Sequence, residues 1–228
     1  MPMSKRLWPR LDILPKAQLT LWHELRDVPE TFILYGGTAL ALHLGHRQSE
    51  DFDFFADHPI DANSLLETIP FLVGAVVIQL APDTLTCLVS RGDPVRVSFF
   101  GLSRLNRLRA PHVAAENGLK VADLLDIAGT KVAVVQRRAQ RKDYIDIDAL
   151  IRAGIPLERQ LAAAKLIYGS TFTPTPSLKA LTFFDDGDLA LLPKDVRMRL
   201  TQAAAAVDPL RLPRLARKTR KTDSERDR

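Results

Sequence analysis

Residues 31–56, TFILY-GGT-ALALHLGHRQSE-DFDFFA, constrain the fold more than any other stretch of the chain. TFILY (31–35) is short, apolar and rich in strand formers, which predicts a buried strand. Gly36-Gly37 breaks it, and Thr38–His46 then reads as a helix of leucines and alanines. EDFDFFA (50–56) alternates and predicts a second strand. A strand, a glycine turn, a helix and another strand in so short a span fit a compact α/β unit.

The period of two orients the acidic pair. Asp51 and Asp53 share one side of the strand, while Phe52 and Phe54 share the other and can enter the core. Two ionised carboxylates held together repel unless a cation lies between them. An all-oxygen, carboxylate-rich site suits Mg2+ (or Mn2+), which takes one or two carboxylates plus substrate phosphates. The glycines supply the complement. Between a strand and a helix, free N–H groups and the positive end of the helix dipole favour an anion. Glycine also lets a phosphate approach the backbone, and Thr38 could add a hydroxyl. No Gly-Lys-Ser/Thr follows, so this is not a Walker A loop. Taken singly, a Gly-Gly turn and an Asp-x-Asp strand edge are commonplace; together they describe a nucleoside-triphosphate site.

Further along, Pro15–Val28 reads as a helix before this unit, and 61–70 as one after it, capped by Asp61 or a polar neighbour. Phe71–Leu80, Thr84–Ser90 and Pro94–Phe100 read as strands separated by hairpin-like breaks. Residues 101–119, with frequent Gly, Arg, Asn and Pro, predict a loop lying over the site. Helices are expected over 121–138, where Gly129 is a tolerated blemish, and over 142–154, 156–169, 177–184 and 193–207, with a linker at 171–177. No internal repeat is visible. The expected organisation is an α/β region over 1–110, a helical region over 111–208 that completes the site, and a basic disordered tail over 209–228.

With GGT at 36–38 followed, one helix later, by Arg47-x-Ser49-x-Asp51-x-Asp53-Phe54-Phe55, the chain resembles a nucleotidyltransferase-like family. That family includes the AbiEii toxins of type IV toxin–antitoxin systems and the related MenT toxins. The resemblance runs over residues 31–150. It implies an α+β fold, a small mixed sheet with flanking helices followed by a helical C-terminal region. It also implies a cation on Asp51 and Asp53, with triphosphate held by Gly36, Gly37 and Thr38 and supported by Arg47 and Ser49. An NTP would be the substrate, tRNA, another RNA or a protein hydroxyl the acceptor, and a cognate antitoxin a partner.

A second constellation lies in DIAGTKVAVVQRRAQRKDYIDIDAL, residues 126–150. Ile127, Ala128, Val134 and Val135 surround Lys131 at helical spacing, so the lysine emerges from a buried stripe. It either snorkels at the edge of that stripe or meets an anion. The resemblance maps the family's lysine to Lys131 and its later aspartate to Asp143 or Asp146. Either aspartate could orient Lys131 or act as general base, and Asp143 could equally be an N-cap. Arg137, Arg138, Arg141 and Lys142 form a basic cluster that is either a solvated face or a phosphate contact. His46 could cap the first helix or face the site, and Asp148 reads as structural. Nucleotidyltransferases commonly carry a third metal-binding carboxylate on a later strand. Here that strand is PVRVSFFG, and Ser98 stands at its centre.

Composition narrows the rest. The net charge of +5 resides in residues 211–228, where eight Lys/Arg face three Asp/Glu. That tail is either a solvated end or a salt-sensitive contact for nucleic-acid phosphates. One cysteine, Cys87, forbids an internal disulfide and argues against a thiolate zinc site. No apolar run suits a membrane span or a signal peptide, so a reducing cytoplasm is the expected setting. Three functions fit: a nucleotidyltransferase, a catalytically weak relative that binds nucleotide or RNA, and an inert interaction domain.

Overall fold

The structure, a computed structural model, describes residues 5–103 and 106–216. In chain order the elements are β1 (Arg6–Leu7), α1 (Lys16–Trp22), β2 (Ile33–Tyr35), α2 (Gly36–Leu44), β3 (Asp51–Ala56), α3 (Ala62–Thr68), β4 (Val76–Ala81), β5 (Thr84–Arg91), β6 (Asp93–Gly101), β7 (His112–Ala114), β8 (Lys120–Val121), α4 (Leu124–Val134), α5 (Arg141–Arg152), α6 (Leu157–Tyr168), α7 (Pro174–Ala180) and α8 (Lys194–Ala205). The strands form one mixed sheet in the order β1-β7-β8-β2-β3-β6-β5-β4. The α+β expectation holds.

Alternation along β3 works as read. Phe52 and Phe54 are fully buried, and Phe54 stacks on Phe99 of β6 at 5.2 Å between ring centroids. Phe32 meets the same Phe99 edge-on at 5.1 Å. This aromatic layer fixes β3 and β6 side by side with their polar positions on the opposite face. Ile127, Ala128 and Leu150 from α4 and α5 belong to the same cluster as the sheet residues. A second cluster, built on Val132, Tyr144, Ile147, Leu161 and Leu200, binds the later helices to one another. Asp148 is structural, as expected: buried, it accepts from Arg199 at 2.7 and 2.9 Å and from Arg152 at 3.1 Å, tying α5 to α8.

Several elements depart from the sequence reading. The helix after the glycines starts at Gly36 itself. The helix expected over 15–28 is split into α1 and a 3-10 turn at Glu24–Asp27. The strand expected from Phe71 begins at Val76, because Pro70–Leu72 turn as a 3-10 helix. β1, β7 and β8 are too short to show a period, and β7 and β8 lie inside or just beyond the expected loop. Pro174 opens α7 inside the expected linker, where a proline at the first helical position costs no hydrogen bond. Gly129 is a packing requirement rather than a blemish: a Cβ there would lie 2.7 Å from Ile167 Cδ1 and 3.0 Å from the Ala163 backbone, so glycine permits the close crossing of α4 and α6. In the expected disordered tail, residues 217–228 lie outside the described residues. Leu215 packs with Leu108, Leu125, Ala163 and Ile167, and the Ala216 carbonyl accepts from Arg109 at 2.7 Å. That segment is therefore tied to the body of the fold.

Candidate active site

One row of side chains crosses the sheet through its register: Tyr35 pairs with Asp53, Asp53 with Ser98, Ser98 with Thr86, and Thr86 with Gln79. The next row places Asp51 beside Arg96. Asp51 and Asp53 open into a cavity of about 990 Å³ that lies between this sheet face and helices α4, α5 and α6. That volume lies at the upper end of small-molecule sites. Five cations line it, Arg47, Arg96, Lys131, Arg138 and Lys142, against the three carboxylates Glu50, Asp51 and Asp53. The balance favours an anionic ligand.

The Gly-Gly step seats the acidic strand. A Cβ on Gly36, whose φ is +75°, would lie 2.7 Å from Asp53 Oδ2. One on Gly37 would lie 2.6 Å from Arg47 Nη2 and 2.8 Å from Ser49 Oγ. The glycines thus bring the first turn of α2 against Asp53, Arg47 and Ser49, and both still line the cavity. Thr38 differs from its expected position. It is buried, off the cavity wall, and its hydroxyl donates to the Asp51 carbonyl, clamping α2 to β3.

Behind the acidic pair stands a buried charge network that joins residues about a hundred positions apart. Lys131 Nζ lies 2.6 Å from Asp146 and 3.0 Å from Asp143. Asp146 also accepts from Arg47 at 2.6 and 2.9 Å and pairs with His46 Nε2 at 2.8 Å. Asp143 accepts from Arg138 at 2.8 and 3.2 Å. Both aspartates are wholly buried and off the cavity wall, whereas Lys131, Arg47 and Arg138 line it. So both candidate aspartates, not one, hold Lys131, and each presents cations to the cavity. Lys131 does not snorkel; it is buried among its partners.

Protonation follows the same logic. Burial would raise the Asp146 carboxyl, but the His46 hydrogen bond, Lys131 and Arg47 over-compensate and hold it well below the carboxylate range. That makes it a poor proton acceptor. Burial first and Asp51 second push the Asp53 carboxyl up, and Lys131, Lys142 and Arg138 only partly offset them. A buried carboxylate strained by its neighbour is relieved by a cation. Among the described residues no three His, Cys, Asp or Glu side chains gather at one point. Ser98 and Thr86 fill the row where a further carboxylate would stand, Thr86 donating to Ser98 at 3.3 Å. The donor set therefore fits a magnesium-like ion that takes two carboxylates and completes its shell from water and phosphate.

At the other end the cavity is apolar. Phe55 shares the aspartate face of β3, stacks on Phe100 at 4.9 Å and meets Tyr35 edge-on at 5.5 Å. Tyr168, Ile167 and Leu102 complete that wall. From the expected loop, Leu102 and Asn106 reach the cavity. Asn106 donates to the Ile167 carbonyl, and the Leu108 and Arg109 N–H groups donate to buried Asp126 at 2.7 and 3.0 Å. The structure thus brings together Asp51, Asp53, Gly36, Gly37, Arg47, Ser49 and Lys131 at the cavity and sets Thr38, Asp143 and Asp146 behind it. Sequence reasoning left His46 open and gave no role to Arg96 or Tyr168. Period-two counting along β6 could have found Arg96; nothing local marks the other two.

The family model described as the nucleotidyl transferase AbiEii toxin of type IV toxin–antitoxin systems matches residues 21–219. An uncharacterized Aquifex aeolicus protein is 36% identical over 123 residues, 53% of this chain and 58% of that protein. The chain thus spans less than two thirds of that relative's length. Among solved structures, the nucleotidyltransferase toxin MenT4 of Mycobacterium tuberculosis aligns with a TM-score of 0.52 at 17% identity, over 87% of this chain and 84% of that one. A Helicobacter pylori protein described as a candidate nucleotidyltransferase aligns with a TM-score of 0.50 at 18% identity, over 83% and 91%. At these identities the structural likeness speaks for the fold. With the glycine step, the acidic strand and the lysine network in one cavity, and the family model matching almost the whole described chain, the protein belongs to the AbiEii nucleotidyl transferase toxin family of type IV toxin–antitoxin systems.

Proposed function

We propose that this cavity binds a nucleoside triphosphate with Mg2+ or Mn2+ and transfers its nucleotidyl group to a hydroxyl acceptor. The observation that carries the reading is the meeting of an acidic pair and five cations on the wall of one cavity with an aromatic end. Asp51 and Asp53 would hold the cation, which when bound screens phosphate charge and polarises the phosphoryl group. Gly36 and Gly37 admit phosphate oxygens close to the backbone, with Ser49 and Arg47 beside them. Lys131, Arg47 and Arg138 neutralise the triphosphate, each fixed from behind by Asp143 or Asp146. Fixed donors of this kind favour the transition state because they need not reorganise. Phe55, Phe100 and Tyr168 offer the base an apolar surface. The acceptor oxygen attacks the α-phosphorus, the bond to the β-phosphate bridging oxygen breaks so that pyrophosphate leaves, and the hydroxyl proton passes to water. Asp143 and Asp146 act as positioning residues, since they lie off the cavity wall and their oxygens are spent on the cations that line it.

The acceptor is an RNA, with tRNA as the first candidate, or a protein hydroxyl, and family membership supports an antitoxin partner. Labelled NTPs, Mg2+ and total RNA or protein test the reading. Label transfer by the wild type, lost in Asp51→Asn and Asp53→Asn, is the expected result; transfer that survives both variants removes the site. The Ser98–Thr86 pair favours a second reading, a catalytically weak protein that binds nucleotide or RNA. NTP binding with no transfer to any acceptor would select it.

A further inference from the structure

Arg96 stands on β6 in register with Asp51 on the parallel strand β3, and both side chains line the cavity. Its Nε lies 4.0 Å from Asp51 Oδ1, within ion-pair reach but beyond hydrogen-bond length. Among the described residues the Arg96 guanidinium makes no hydrogen bond, and the side chain is 55% exposed. Three other cations of the cavity are already committed: Arg47 and Lys131 to Asp146, Arg138 to Asp143. Arg96 therefore keeps an unspent guanidinium fork, a shape that matches phosphate oxygens. Two residues along the same strand, Ser98 faces Asp53 where a further carboxylate would stand.

We propose that Arg96 couples metal entry to nucleotide entry. Without nucleotide, the guanidinium offsets the Asp51 charge, so the acidic pair holds a divalent cation weakly. When polyphosphate arrives, the fork turns to its oxygens and frees Asp51, so that Asp51 and Asp53 together would hold the divalent cation. Arg96 is then both the occupant that excludes a lone metal and a ligand for the transferred triphosphate. A two-carboxylate site gains from such a device, because it prevents futile loading by metal alone. The inference rests on the nucleotidyltransferase reading of this cavity.

The test uses the full chain, wild type, Arg96→Gln and Arg96→Lys, with melting temperatures as the folding control. Mn2+ binding without nucleotide is followed by electron paramagnetic resonance, and Mg-tripolyphosphate binding, which needs no choice of base, by calorimetry. A unit charge about 4 Å away in a largely solvated setting changes affinity by about fivefold or more. Arg96→Gln should therefore bind lone Mn2+ at least about fivefold more tightly and Mg-tripolyphosphate about tenfold more weakly, the loss expected for a charge-assisted contact. Arg96→Lys should resemble the wild type toward Mn2+ and recover part of the polyphosphate affinity. Unchanged Mn2+ affinity in Arg96→Gln, with wild-type polyphosphate binding intact, overturns this inference alone. A wild type that binds neither Mn2+ nor Mg-tripolyphosphate overturns the reading of the cavity and this inference with it.

Discussion

Asp146→Asn keeps the size of the side chain and removes one negative charge from the buried network. In the native protein Asp146 has no exposed surface and meets Lys131, Arg47 and His46 at 2.6 to 2.9 Å. Breaking a buried pair by neutralising one partner costs about 3–5 kcal/mol. Here the cations keep partial compensation, Lys131 from Asp143 and Arg47 from the Gln48 carbonyl at 2.7 Å. The lower end, about 3 kcal/mol, is therefore expected. For a chain of this size that corresponds to a melting temperature lower by roughly 6–12 °C. The dependence on pH has a definite sign. Because the folded carboxyl lies below its unfolded value, its contribution is complete above the unfolded pKa of about 4 and is lost only as pH falls below it. Wild type and variant, melted in parallel by circular dichroism, should thus show the full gap at pH 8 and a gap that narrows as pH falls through the acid range below about 4. A gap under about 2 °C at pH 8 would falsify the closed network.

Gly36→Ala forces a left-handed φ on alanine, at about 1–2 kcal/mol, and drives its methyl into Asp53 Oδ2. Its melting temperature should fall by roughly 2–8 °C and Mn2+ binding with tripolyphosphate should be lost, as resonance titration would show. Gly129→Ala should destabilise by about 1–3 kcal/mol in urea unfolding, against the gain of about 1 kcal/mol that helix propensity alone forecasts, because the Ala163 backbone cannot yield. Asp126 is pushed up to about 6, by burial above all, so its contribution to stability fades as pH rises from about 4 through 6. Asp126→Asn cannot ionise, so the melting temperature of the variant minus that of the wild type should rise over that interval in a fluorimetric series.

The sequence carried the parts of the fold that have a period. β3 shows why: alternation requires only that one side of the strand be dry, and Phe52 and Phe54 alternating with two aspartates satisfy that within one segment. β7 and β8 have no such signature. They are three and two residues long, and they become strands because β2 offers β8 a parallel edge and β1 offers β7 another. Gly129 misleads for a related reason. Within its own helix it is a weak former, and its value appears only once α6 crosses it.

The site divides along the same line. A shared face on β3 and an apolar collar round Lys131 are local, so Asp51, Asp53 and Lys131 can be read from spacing. The choice between Asp143 and Asp146 is not local, and posing it as a choice misstates the physics. A lysine in a buried stripe must be neutralised, and one carboxylate that also serves Arg47 and His46 cannot do this alone. With two carboxylates, three cations can be held at the cavity wall: Lys131 shared by both, Arg47 on Asp146 and Arg138 on Asp143. The three cations exceed the two carboxylates by one charge, and that surplus faces the cavity. An aspartate used in this way is a structural counter-charge, so the chemistry should be sensitive to its charge and indifferent to its basicity. Asp146→Glu, where the longer side chain can be accommodated, would keep the first property and so separates the two roles: recovery of polyphosphate binding relative to Asp146→Asn fits a counter-charge.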